Sequence, residues 1–180
     1  MACDFPSPVT TETPALDVEA LVADVVETHH AYLRAQLQRV DAVAADIIGF
    51  SGADEPVLME IRQLVGGLRS CIEAQLDREE QQLFPMLRRL GTQTHVTKCH
   101  AGMIRSRLSM AERDAARIRG VLARLRDLAT EHLSPAGPCE ACHELIAVLD
   151  DLTADLKEHT RKECEVLFPW AVAREAELAK

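Results

Sequence analysis

Apolar residues recur along this chain in alternating steps of four and three. One stripe runs Ile61, Val65, Leu68, Ile72, Gln75, Glu79, Gln82, Met86, and another runs Leu145, Leu149, Leu152, Leu156, His159, Glu163, Val166, Trp170. Val22, Val26, Leu33, Leu37, Val40 and Ile47 form a third, with His29 and His30 inside it. Ile104, Leu108, Ala111, Ile118, Leu122 and Leu125 form a fourth. Such spacing predicts amphipathic helices that bury one stripe each. The first helix is expected to start near Thr13-Pro14 or Asp17 and to run to about Ile48, where Gly49, Ser51 and Gly52 stop it. The second starts near Asp54-Glu55-Pro56 and ends before Gly91. The third runs from about Ala101 to Leu133. Ser134-Pro135-Ala136-Gly137-Pro138 then breaks the chain, and Pro138 suits the first position of a fourth helix. Four long helices with short connections predict an all-α fold, an antiparallel up-down four-helix bundle over residues 14–180 behind a flexible tail, residues 1–13.

Composition sharpens this picture. The chain has 180 residues, 47% of them hydrophobic, enough for one domain with a sizeable core. Aromatics are only 3%, and Ala, Leu, Arg and Glu dominate, as in a helical protein. A net charge of -9 argues against nucleic acid as the main partner. No apolar run approaches the ~20 residues of a membrane span, so no membrane is expected either. Met1 to Pro14 lacks the basic start and apolar stretch of an export signal, which leads to the expectation of a cytoplasmic protein with its six cysteines as reduced thiols.

The chemistry sits in a repeat. Gln75-Leu76-Asp77-Arg78-Glu79-Glu80-Gln81-Gln82-Leu83-Phe84-Pro85 aligns without a gap on His159-Thr160-Arg161-Lys162-Glu163-Cys164-Glu165-Val166-Leu167-Phe168-Pro169. The two copies fall on helices 2 and 4, as a pseudo-twofold bundle would place them. Glu79 and Glu163 stand inside apolar stripes. Burying an unpaired carboxylate costs on the order of several kcal/mol, so two of them call for a cation or for pairing with Arg or Lys. His159 and Glu163 are four apart and share a face. A histidine on helix 1, His29 or His30, would complete a His/Glu cluster.

These residues resemble hemerythrin-like (HHE cation-binding) domains. The resemblance is carried by His30-Ala31-Tyr32-Leu33-Arg34, by Glu79 through Pro85, by Cys139 after a proline-containing loop, and by His159-x-x-x-Glu163-x-x-x-Leu167-Phe168-Pro169. It covers about residues 17–172. The type most alike is the di-iron protein that repairs iron-sulfur centres after nitrosative and oxidative stress. The resemblance implies that His30, Glu79, His159 and Glu163 are metal ligands and that the metal is non-haem iron. It also implies a helix 2 histidine where this chain has Gln75. On helix 3 it implies a histidine near Arg113; Asp114 and Ala115 face inward better on the helix 3 stripe. In an up-down bundle helices 1 and 4 are neighbours, so His30 and His159 serve one ion, while both missing histidines belonged to the other. One iron is favoured, with two left open, and Arg113 is a candidate to fill the dismantled half by pairing with Glu79.

The functional expectation is an iron-binding protein of stress response, iron handling or oxygen/nitric-oxide sensing, with a small diatomic or peroxide ligand; a classical enzyme is less expected, and an enzyme binding peroxide or oxygen at open iron positions is a third reading. The rival is a metal-free bundle used for regulation or interaction. Cys139-x-x-Cys142-His143 matches a haem-attachment pattern that the missing export signal argues against; a redox or thiol-ligand role for these cysteines is an alternative. His95, Cys99 and His100 offer a weak peripheral metal site, and Arg113 to Arg126 reads as a solvated helix face.

Overall fold

A computed structural model of the chain describes residues 16–51, 56–93, 103–132 and 140–178. The tail, the His95/Cys99/His100 group and Cys139 lie outside the described residues. Four helices follow in order: α1 (18–51), α2 (56–92), α3 (Met103–His132) and α4 (140–178). Asp17 caps the first, its carboxylate accepting from the Ala20 N–H at 3.0 Å. Each helix packs on the next in the chain and α4 closes on α1, which makes the antiparallel ring the stripes predict. α2 does not stop before Gly91 but runs to Thr92. The missing Cβ there matters, because one would meet the Val18 Cγ1 at 3.0 Å.

The core is divided. Leu33, Leu37, Ile61, Leu68, Ile72, Leu122, Leu125, Leu149 and Leu152 belong to one apolar cluster; Val22, Val25, Leu83, Phe84, Leu87, Leu108, Leu167 and Phe168 belong to another. The buried polar residues His29, His30, Gln75, Glu79, His159 and Glu163 lie along the same helices between these two sets.

Three helices are not purely α. Each carries a π turn at this polar layer, over Val25–His30, Glu79–Leu83 and Glu163–Leu167, whereas α3 is α-helical over Met103–His132. The Leu-Phe-Pro repeat explains two of them. Pro85 and Pro169 have no N–H to give and press on the carbonyl four residues back. The N–H groups of Phe84 and Phe168 instead reach the carbonyls of Glu79 and Glu163, five residues back.

A π turn inserts one residue and so shifts the stripe beyond it. This corrects the expected seam. Gln82 and Val166 are exposed, and Leu83 and Leu167 take the inward positions. Val25 replaces Val26 in the same way. The wider π turn also lets two adjacent residues, His29 and His30, face inward together.

The thiol expectation fails in part. Among the described residues Cys71 is free, but Cys142 and Cys164, too far apart on α4 to join each other, are each disulfide-bonded. A buried, bonded Cys142 leaves no thiol there for haem attachment. The arginines from 113 to 126 are exposed, with Arg124 paired to Glu60 and Arg126 to Asp150, as a solvated face requires.

Candidate metal centre

His30 comes from the π turn of α1, Glu79 from the start of that of α2, His159 from the turn before Glu163 in α4. The structure brings their ligand atoms together. His30 Nε2 is 3.2 Å from Glu79 Oε2 and 3.3 Å from His159 Nε2, and His159 Nε2 is 3.6 Å from Glu79 Oε2. Glu163 Oε1 stands 3.7 Å from His159 Nε2. All four side chains are at most 3% exposed. Metal–ligand bonds of about 2.1 Å would leave neighbouring donors roughly 3.0–3.4 Å apart, so His30, Glu79 and His159 fit around one ion, and Glu163 borders it.

Electrostatics point the same way. Among the described residues no Lys or Arg pairs with Glu79 or Glu163. Glu79 Oε2 and Glu163 Oε1 are buried without a hydrogen-bond partner. Burial, and then the neighbouring Glu79, push the Glu163 carboxyl well above the usual carboxylate range. Burial lowers His159 to about 3, helped by His30, His29 and Lys162, so its imidazole is neutral at physiological pH and free to ligate.

The tautomer of His30 is set from outside. Its Nδ1 lies 2.7 Å from Glu80 Oε1, and Arg34 Nη1 donates to the same oxygen at 2.8 Å. Burial alone would raise the Glu80 carboxyl, but the bonds from Arg34 and His30 outweigh it and hold it below its ordinary value. Nδ1 therefore carries the proton and Nε2 presents a lone pair to the cluster. His159 Nε2 is 3.3 Å from His30 Nε2, so either its own N–H points at that lone pair or a cation lies between the two nitrogens. Glu80 and Arg34 were missed as site residues, although Arg34 stands four positions after His30 and Glu80 directly after Glu79.

His29 is buried too but points elsewhere. Its Nδ1 is 2.9 Å from Asp155 Oδ1, and it does not join the three-residue cluster. At the positions where the resemblance implies two more histidines, the described residues differ from expectation in one respect, the place of Arg113. Arg113 is exposed and makes no contact with Glu79. It sits off the inward stripe, on the outer face of α3. Asp114 turns aside to Arg78 at 2.5 Å. Ala111 and Ala115 face inward, and Gln75 Nε2 donates to Glu79 Oε1 at 2.8 Å. Charge compensation by Arg113 is therefore withdrawn; a neutral amide occupies the oxygen that a second cation would take.

The family model of the hemerythrin HHE cation binding domain matches residues 21–171. Iron-sulfur cluster repair protein YtfE of Edwardsiella ictaluri is 26% identical over 155 residues, which span 86% of this chain and 66% of that relative's own length. Iron-sulfur cluster repair protein DnrN of Neisseria gonorrhoeae is 26% identical over 149 residues, 83% of this chain and 88% of the relative. Among the described residues no helix is long and apolar enough to cross a membrane.

Proposed function

The chain belongs to the hemerythrin HHE cation-binding family, and from that premise we propose that it binds one non-haem iron ion through His30, Glu79, His159 and Glu163 and acts in the cytoplasm. Its role is in oxidative or nitrosative stress, through iron handling or the sensing of oxygen or nitric oxide. The names of the two repair-protein relatives support the stress role. The observation that carries the reading is the triangle of His30, Glu79 and His159 donors around a buried, unpaired carboxylate oxygen. Two neutral imidazoles with carboxylates suit non-haem iron and leave positions for a small ligand. Bound iron would supply a redox-active centre there; the protein supplies the imidazole and carboxylate donors.

Gln75 supports a single ion: its amide holds Glu79 Oε1, and the buried side chains that α3 turns inward nearby are Ala111 and Ala115. The test is elemental analysis of protein purified from iron-supplemented cells. One iron per chain is expected. Two irons with an oxo-bridge absorption band would overturn the single-ion reading, and a metal-free protein would leave the regulatory-bundle reading in its place.

A further inference from the structure

The outer face of α3 is out of balance with the rest of the molecule. α3 holds seven arginines against four acidic residues, whereas the whole chain carries a net charge of -9. Arg124 is neutralised by Glu60 of α2 and Arg126 by Asp150 of α4. Arg105, Arg113, Arg117 and Arg119 are exposed, and among the described residues none of them has an ion-pair or hydrogen-bond partner. The helical repeat sorts these side chains into two rows. Arg113 and Arg117 share the side of Arg124, which faces α2; Arg105 and Arg119 share the side of Arg126, which faces α4. Between the rows run the small residues Ser109, Ala116, Gly120 and Ala123, at steps of seven, four and three. Nothing lies within 4 Å of where a Gly120 Cβ would stand, and glycine inside a helix weakens it relative to alanine. No contact within the chain accounts for so small a residue there; a second helix laid between the arginine rows does.

We propose that this face of α3 docks an acidic helix of a partner protein, whose carboxylates reach Arg113 and Arg117 on one side and Arg105 and Arg119 on the other. The occupant follows from charge and length. From Arg105 to Arg119 the unpaired positive charge extends over about 21 Å, roughly four helical turns. Beyond it Asp127 and Glu131 reverse the sign. A short acidic helix matches that span, whereas a nucleic acid strand or an anionic membrane would continue onto the acidic remainder of the chain. A second copy is disfavoured too, since α3 laid against α3 about a twofold axis sets arginine against arginine. The docked helix lies across α3 from the metal cluster, because the inward face of α3 carries the buried Ala111 and Ala115. This goes beyond the iron-binding reading and does not depend on it.

The test titrates the full chain into a fluorescently labelled four-turn helical peptide of glutamate and alanine and follows anisotropy. Saturable binding is expected, and it should fall as salt is raised. Arg113→Glu combined with Arg117→Glu is expected to weaken it at least about tenfold. Arg62→Glu reverses one charge on the exposed surface of α2 and is expected to leave binding unchanged. Gly120→Leu puts a side chain between the rows; it is expected to melt no lower than wild type and yet to weaken the peptide at least about tenfold. Zinc content should be the same in every variant. Absence of saturable binding, equal binding of a proline-interrupted peptide of the same charge, or equal or tighter binding of single-stranded DNA or phosphatidylglycerol vesicles would each overturn the proposal. So would an undiminished affinity in Gly120→Leu, or a loss in Arg62→Glu as large as in the double variant.

Discussion

Removing the Glu80 carboxylate is the sharpest probe of how the metal cluster is held. Glu80 is not one of the clustered donors, yet its Oε1 accepts the hydrogen bond of His30 Nδ1–H at 2.7 Å. In Glu80→Ala that buried N–H loses its acceptor, because the His30 side chain is 0% exposed. An unpaired buried donor costs about 1–3 kcal/mol, and loss of such a supporting carboxylate lowers metal affinity about 10–100-fold. The side chain of Glu80 is 30% exposed, so water can enter the space it leaves. The expected loss is therefore near the lower bound, about tenfold, or about 1.4 kcal/mol. Glu80→Gln keeps an acceptor and should lose less. Asp77 also binds Arg34, at 3.3 Å, but not the histidine, so Asp77→Ala serves as the control and should leave affinity unchanged. The assay is competition with a chelator for ferrous iron or zinc. Equal affinities for Glu80→Ala and wild type, or equal losses for Glu80→Ala and Asp77→Ala, would refute the reasoning.

Other expectations follow from the same geometry. His159→Ala and Glu163→Ala should each remove most metal binding, whereas His29→Ala should do less than His30→Ala, since His29 is turned to Asp155; elemental analysis of the four variants decides. The metal-free protein should lose stability as pH falls below about 6.5. His159 has a folded value of about 3, so the unfolded chain binds the proton first, and urea melts between pH 7 and 4 would show a falling midpoint. Glu163 has the opposite sign: its raised folded value favours the proton, which a cation must displace, so calorimetry in buffers of different ionisation heat should show proton release on metal binding. The shifted stripe predicts that Leu167→Ala costs about 2–5 kcal/mol and Val166→Ala within about 0.5 kcal/mol, measured by denaturant melts.

Much of this was legible in the sequence because helix packing is periodic. The 4-3 stripes set four helices and their order, and the doubled Leu-Phe-Pro segment set Glu79 and Glu163 at one height. Two classes of feature escaped. Stripes assume an even pitch, and Pro85 and Pro169 break it, so Gln82 and Val166 were placed inward when Leu83 and Leu167 belong there. Contacts between distant segments carry no local signal either. His30 to Glu80, 50 residues apart, and His29 to Asp155, 126 apart, depend on how the helices rotate against one another. Arg113 failed for the same reason: charge balance argued for it, but its place on α3 turns it outward.

The π turns also constrain how such a protein can change over time. A turn of this kind is an insertion of one residue. Deleting Gln81 would rotate everything beyond it by about 100° and swing Leu83, Phe84 and Leu87 out of the terminal apolar layer they share with Val22 and Leu167. The frame of the centre is thus locked by packing that no ion touches. Side chains around the cluster, by contrast, can be exchanged one at a time without moving that frame: Gln75 and Ala115 lie on unbroken α-helical segments and both face inward. Histidines placed at these two positions are accordingly expected to add a ligand pair with no change of backbone.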